Sequence, residues 1–342
     1  MNSLLISKEK KKLSDELIRW SKGRERLLNI TTIPYNSSEI LYKVILENCS
    51  NGIKTLYITE EEEDNVEVIN LIKKNSTFRD YINIKEDYNT QQYELVVAKC
   101  DDLDHIQDKF EIIVYNGISN VVNLSYEEII RSMGRLLSFG GKIISYNFEC
   151  IFSGNKEIII PIRDNGCPLV EPMLIKTKID LNKDLPYVAY EHLKWSLENK
   201  KKVIIYVPDK ERVNKVYSYL EKYCRNISKE VYYFTEYNKD KDELKKFLNR
   251  KSSIIVTNDY CHNRLDIENA NIMVFFADNN CFNYKKLIYI SGKVGRKEKN
   301  NLGEVIFLAK EENLEIEKSK NIIRNFNKEA WEKKFFVAQN LF

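Results

Sequence analysis

The sequence is poor in the residues that mark several specialised protein classes. Its 342 residues include only 11 glycines and 6 prolines, which excludes collagen-like and Pro/Gly-rich low-complexity chains. No apolar run approaches the roughly 18 residues that a membrane span requires. There are three histidines, His105, His192 and His262, and no metal-ligand spacing relates them. The seven cysteines (Cys49, Cys100, Cys150, Cys167, Cys224, Cys261 and Cys281) are scattered, odd in number and without a C-x-x-C pair. Neither a disulfide framework nor a zinc site is expected, and a reducing, cytoplasmic setting is. A one-sided charge is also missing. With 54 Lys and Arg against 51 Asp and Glu, the net charge is +3, so any affinity for nucleic acid must come from local clustering. The opening MNSLLISKEKKK puts its basic run after a short apolar patch, the reverse of a secretory signal.

What is present is an ordinary globular balance, 43% apolar and 31% charged, over a two-domain length at roughly 100–200 residues per domain. Short β-branched runs alternate with amphipathic stretches. Leu27–Ile33 reads as a strand, with Ser37 or Ser38 capping a helix over Glu39–Asn48. Ile53–Thr59 is a second strand, and the acidic run EEEED (60–64) reads as the solvated start of a helix reaching Lys74. Leu95–Ala98, Ile112–Tyr115 and Lys142–Tyr146 are further strands. Ser125 caps a helix to about Leu137, and Gly140-Gly141 breaks the chain ahead of the last strand. Ahead of all of these, Leu13, Leu17, Ile18 and Trp20 lie on one face of an amphipathic helix.

Residues 155–186 hold four of the six prolines and show no helical period, so they read as a crossover. The rhythm then resumes: helix at Tyr187–Asn199, strand at Lys202–Val207, helix at Asp209–Tyr223, strand at Val231–Phe234 and helix at Lys239–Asn249. Strands at Ser253–Thr257, Ile272–Phe276 and Gly303–Leu308 follow, with a helix at Tyr284–Ser291 between the last two. From Glu311 the chain is helical, and Trp331 and Phe335, four residues apart, are expected to pack on the second domain. The expected organisation is α/β, with two tandem doubly wound parallel sheets. A first domain spans residues 1–154, a crossover 155–186 and a second domain 187–342.

The most informative segment is YISGKVGR (289–296), followed by GEVIF (303–307). Together with KVIIYVPDKERVNKVYSYLEK (202–222), SIIVT (253–257) and IMVFFADNN (272–280), it resembles the second motor domain of superfamily 2 helicases. Within that superfamily it resembles the ComFA-type ATPases of bacterial DNA uptake. The resemblance implies two RecA-like domains of the P-loop NTPase type and a single strand of nucleic acid held mainly through its phosphates. Relatives often carry a four-cysteine zinc module before the motor; this chain has no cysteine before Cys49.

Matched to that family, the nucleotide site has changed. A phosphate loop needs glycines, a Lys and a hydroxyl. After the first strand the chain reads IPYNSSEIL, placing Pro34 and Asn36 at the glycines, Ser37 at the Lys and Ser38 at the hydroxyl. Where the family has the Asp-Glu pair that holds magnesium, Asn116 and Gly117 stand. Lys293 stands for the first arginine of the second domain's pair, and Arg296 keeps the second, the arginine-finger position. With an arginine finger alone worth about 10³–10⁵ in rate, loss of the loop Lys and both carboxylates predicts a non-hydrolysing pseudoenzyme. No cofactor is expected, and ATP with magnesium binds only if the altered cleft still accepts it. DNA, single- or double-stranded, and proteins of a DNA-uptake or processing complex are the expected partners. Arg163, Lys297 and Lys299 are the candidate phosphate contacts. The alternatives are a working DNA-dependent ATPase and an interaction scaffold that binds neither ATP nor DNA.

Overall fold

A strand covered on both faces must be apolar at every position, and several strands of this chain are. The structure, a computed structural model, describes residues 2–84, 90–119, 124–223, 231–235, 242–260, 269–296 and 303–336. It divides into two compact units, residues 1–168 with 329–342, and residues 169–328.

The first unit runs α1 (Asn2–Ser21), β1 (Leu27–Thr32), α2 (Glu39–Ser50), β2 (Thr55–Thr59), α3 (Glu67–Asn75), β3 (Tyr81–Asn83), β4 (Leu95–Ala98), β5 (Phe110–Asn116), α4 (Tyr126–Leu136), β6 (Leu137–Asn147) and β7 (Lys156–Ile160). All seven strands are parallel, in the order β3-β4-β2-β5-β6-β1-β7. β2 and β4 are buried at every residue. Alternate side chains serve two cores. Tyr57, Val114 and Ile144 pack with Leu17 and Trp20 of α1, Val44 of α2 and Ile69 of α3. Leu56, Ile58 and Ile113 pack on the other face with Ile129 and Met133 of α4. Ser125 caps α4 as expected, its Oγ accepting from the Glu128 N–H at 3.2 Å while Glu128 accepts from the Ser125 N–H at 2.7 Å.

The second unit runs β8 (Met173–Lys176), α5 (Tyr187–Glu198), β9 (Lys202–Tyr206), α6 (Lys210–Tyr223), β10 (Val231–Phe234), α7 (Asp242–Asn249), β11 (Ile254–Thr257), β12 (Ala270–Phe275), α8 (Tyr284–Gly292), β13 (Val305–Ala309) and α9 (Leu314–Glu332). Its six strands are also parallel, ordered β10-β11-β9-β12-β13-β8. α5 and α6 cover one face through Leu193, Val213 and Val216. Phe247, Leu287, Ile290 and Ile316, from α7, α8 and α9, cover the other.

Four expectations are corrected. Gly140-Gly141 does not break the chain. The pair lies within β6, where Gly140 has φ +78° and the pairing with β5 shifts register between Phe110 and Ile112, so it forms a bulge. The acidic run at 60–64 opens only a short 3-10 turn at Glu63–Asn65, and α3 itself begins at Glu67. Residues 155–186 are not a bare crossover, because they supply the edge strands β7 and β8. The carboxyl-terminal helix buries Ala330 rather than Trp331, and does so in the first unit, beside Ile6, Ile162, Phe335 and Phe336.

The β7 edge is fenced. Lys156 pairs with Glu16 of α1 at 2.8 Å, Lys333 Nζ donates to the Ile159 carbonyl at 3.0 Å, and Pro161 follows the strand directly. No helix among the described residues is long and apolar enough to cross a membrane.

In the second unit, Gly303 leads β13 past the turn after α8. A Cβ there would fall inside the Val294 side chain and 2.9 Å from the Ala270 carbonyl oxygen. Gly303→Ala is expected to destabilise the unit by about 2 kcal/mol, seen as a lower urea midpoint.

Candidate nucleotide site

In open parallel sheets, ligands bind beyond the carboxyl ends of the strands. At the end of β1 the chain turns through Ile33-Pro34-Tyr35-Asn36-Ser37-Ser38 into α2. Tyr35 takes φ +59°, a left-handed conformation unusual for a side-chain-bearing residue. Each N–H from 35 to 39 already has an acceptor within the chain. Tyr35 donates to the Ile118 carbonyl at 3.0 Å and Asn36 to the Ile33 carbonyl at 3.3 Å. Ser37 donates to Asn36 Oδ1 at 3.0 Å, Ser38 to Glu67 Oε2 at 2.7 Å, and Glu39 to Ser37 Oγ at 3.1 Å. Pro34 has no N–H to give. The Asn36 amide points inward and donates to Thr32 Oγ1 and the Ile162 carbonyl. The Tyr146 hydroxyl from β6 donates to the Ser37 carbonyl at 2.7 Å.

The two serine hydroxyls also point at Glu67. Ser37 Oγ donates to its Oε1 at 2.5 Å and Ser38 Oγ to its Oε2 at 2.8 Å. Ser38 occupies the cap position of α2, yet its hydroxyl makes no cap bond to the helix. A second carboxylate stands close by: Glu61 Oε1 accepts from the Glu67 N–H at 3.4 Å, and its Oε2 accepts from Thr59 Oγ1 at 3.1 Å. Burial, with the Glu67 carboxylate next to it, raises the Glu61 carboxyl to about 7. At the end of β5, Asn116 is buried and its amide donates to the Tyr57 hydroxyl at 2.7 Å. Tyr57, wholly buried on β2, also shares its hydroxyl with Ser38, and burial pushes that hydroxyl well above its usual range. One polar chain therefore runs Asn116, Tyr57, Ser38, Glu67, Ser37.

The structure places Asn36, Ser37, Ser38 and Asn116 in or beside one polar network. It adds Tyr57, Tyr146, Glu61 and Glu67, which sequence reasoning missed. The residues do not fit a nucleoside triphosphate and magnesium. The turn offers no cation and no N–H from 35 to 39, and Asn116 is neutral and already engaged. The Glu67 carboxylate also sits against the donors of the turn. Two unit charges about 4 Å apart repel by about 4 kcal/mol at an effective dielectric of about 20, more than the roughly 2 kcal/mol at most that a helix N-terminus returns.

The remaining predicted residues are dispersed. Arg163 is buried in the wall of the turn, its Nη2 donating to the Pro34 carbonyl at 3.3 Å, so it holds the loop from beneath. In the second unit, Lys293 follows α8. It is buried, with its ammonium 5.5 Å from the centre of the Tyr206 ring. Gly295 turns the chain with φ +69°, and Arg296 after it is half-buried. Lys297 and Lys299 lie outside the described residues.

Glu61 keeps its proton in the folded chain up to about pH 7, whereas an unperturbed carboxyl releases it near 4.5. The folded state binds more protons across that window, so its stability falls as pH rises from 4.5 through 7. Glu61→Gln removes the titration. Between about pH 5 and about pH 8 the variant is expected to gain about 2 kcal/mol relative to the wild-type chain, measured by urea denaturation at both values.

Residues 185–298 match the helicase conserved C-terminal domain. A comparison with curated proteins finds no match. Among solved structures, RecG bound to a three-way DNA junction is similar at TM-score 0.55 and 13% identity, over 94% of this chain and 46% of that one. Dbp5 of S. cerevisiae, bound to RNA and ADP BeF3, is similar at TM-score 0.54 and 12% identity, over 91% of this chain and 87% of that one. The DUF1998 helicase MrfA bound to DNA is similar at TM-score 0.52 and 15% identity, covering 94% and 48%. The chain spans about half the length of RecG and of MrfA. The chain therefore has the tandem RecA-like fold of these structures, and its residues 185–298 match the helicase conserved C-terminal domain.

Proposed function

We propose that this chain is a helicase-like nucleic-acid-binding protein that neither binds nor hydrolyses ATP, and that it serves DNA uptake or processing as the ComFA-type proteins do. The observation that carries the loss of ATP chemistry is the turn after β1, where the chain's own acceptors take every N–H from Tyr35 to Glu39. The helicase C-terminal domain and the fold support the nucleic-acid reading. A grip on phosphates needs cations and backbone donors, not metal carboxylates, so it can outlast the motor. The basic segment after Arg296 is the proposed contact.

Two measurements test this. Phosphate release with saturating single-stranded DNA and Mg-ATP is expected to stay at background; turnover abolished by Ser38→Ala would establish a working ATPase instead. Affinity for a single-stranded oligonucleotide is expected to fall linearly in a log–log plot against salt. Replacing Lys297 and Lys299 together by Ala is expected to reduce that slope by about 1.4. A chain that forms no complex at low salt would be an interaction scaffold.

A further inference from the structure

The turn at the head of α2 is built like an anion cradle and already holds an anion. Three donors converge on Glu67: the Ser37 hydroxyl at 2.5 Å, the Ser38 N–H at 2.7 Å and the Ser38 hydroxyl at 2.8 Å. These two residues stand immediately before the first residue of α2, where aligned peptide dipoles favour negative charge. Glu67 reaches them from the first residue of α3. Among the described residues no Lys or Arg pairs with it; its carboxylate accepts from the donors of the turn, with the Glu61 carboxyl nearby. Hydroxyls and a helix-start N–H converging on one charge form the donor set that a strand–turn–helix presents to a phosphate.

We propose that Glu67 is the resident anion of this turn, a carboxylate supplied by the chain in place of a nucleotide phosphate, so that phosphate compounds are kept out by occupation of the cradle as well as by the missing lysine. The proposal rests on the reading of the site as one without ATP, and it names the group that closes it. Its consequence is that the cradle is intact underneath. Withdrawing the carboxylate leaves two hydroxyls and an N–H facing an empty, electropositive helix end, which an outside anion can fill.

The test is chemical rescue in the full chain, with inorganic pyrophosphate as the probe. Glu67→Ala is expected to shift the unfolding equilibrium at least about tenfold toward the unfolded state. Millimolar pyrophosphate is expected to restore most of that loss while leaving the wild-type chain unchanged. Glu67→Gln fills the same space with a neutral amide that presents N–H groups to donors. It is expected to be destabilised and not rescued. Should Glu67→Ala fail to fold, Glu67→Ser, which also removes the carboxylate but leaves a small polar side chain, reads the same rescue. A Glu67→Ala chain as stable as wild type would overturn the proposal, as would one that pyrophosphate stabilises no more than it stabilises wild type. Failure of the underlying reading looks different: the wild-type chain itself would bind Mg-ATP, whatever the Glu67 variants do.

Discussion

At the carboxyl ends of a doubly covered parallel sheet, strand-end peptides and helix-start N–H groups emerge together, half out of water, and each must find a partner. A buried donor left without one costs about 1–3 kcal/mol, so several open donors at one turn need a ligand to be tolerable. In this chain the need is met internally. Tyr57, Tyr146 and Glu67, on three different elements, meet the turn between β1 and α2, with Asn116 behind Tyr57 and Arg163 beneath the turn. Any ligand reaching these donors would have to displace the acceptors they now use.

The same arrangement explains which parts of the molecule the sequence made legible. Runs such as TLYIT and LVVA are buried throughout and can hardly be anything but central strands, so the order of helices and strands followed from pattern alone. The strands that escaped, β3, β7 and β8, are short edge strands that pair on one side only, and none of them is buried along its length. Gly140-Gly141 misled for a related reason: glycine signals a special backbone angle, and a bulge inside a strand needs one as much as a turn does.

At the site, the turn and Asn116 were legible because the resemblance to helicases fixes their positions after β1 and β5. Glu61 and Glu67 were not. Clustered acids ahead of a helix are normally solvated, and the signal that these two are not lies 30 residues away, in serines that lack a lysine. Only the fold brings the two acids and the serines together. The second unit is the reverse case. Its motif residues were legible from GKVGR, but Lys293 is buried toward Tyr206, which no spacing rule could foretell.

The fenced outer strand of the first sheet has a consequence of its own. β7 ends the sheet, and an uncovered end strand is a template on which another polypeptide can add itself, strand by strand. Here the Lys333 ammonium occupies the Ile159 carbonyl, the Lys156–Glu16 pair stands at the strand's start, and Pro161 removes the next donor. Edge-to-edge growth would have to strip a charge from its carbonyl before the first new rung could form. At this edge of the seven-stranded sheet, a further strand is therefore disfavoured.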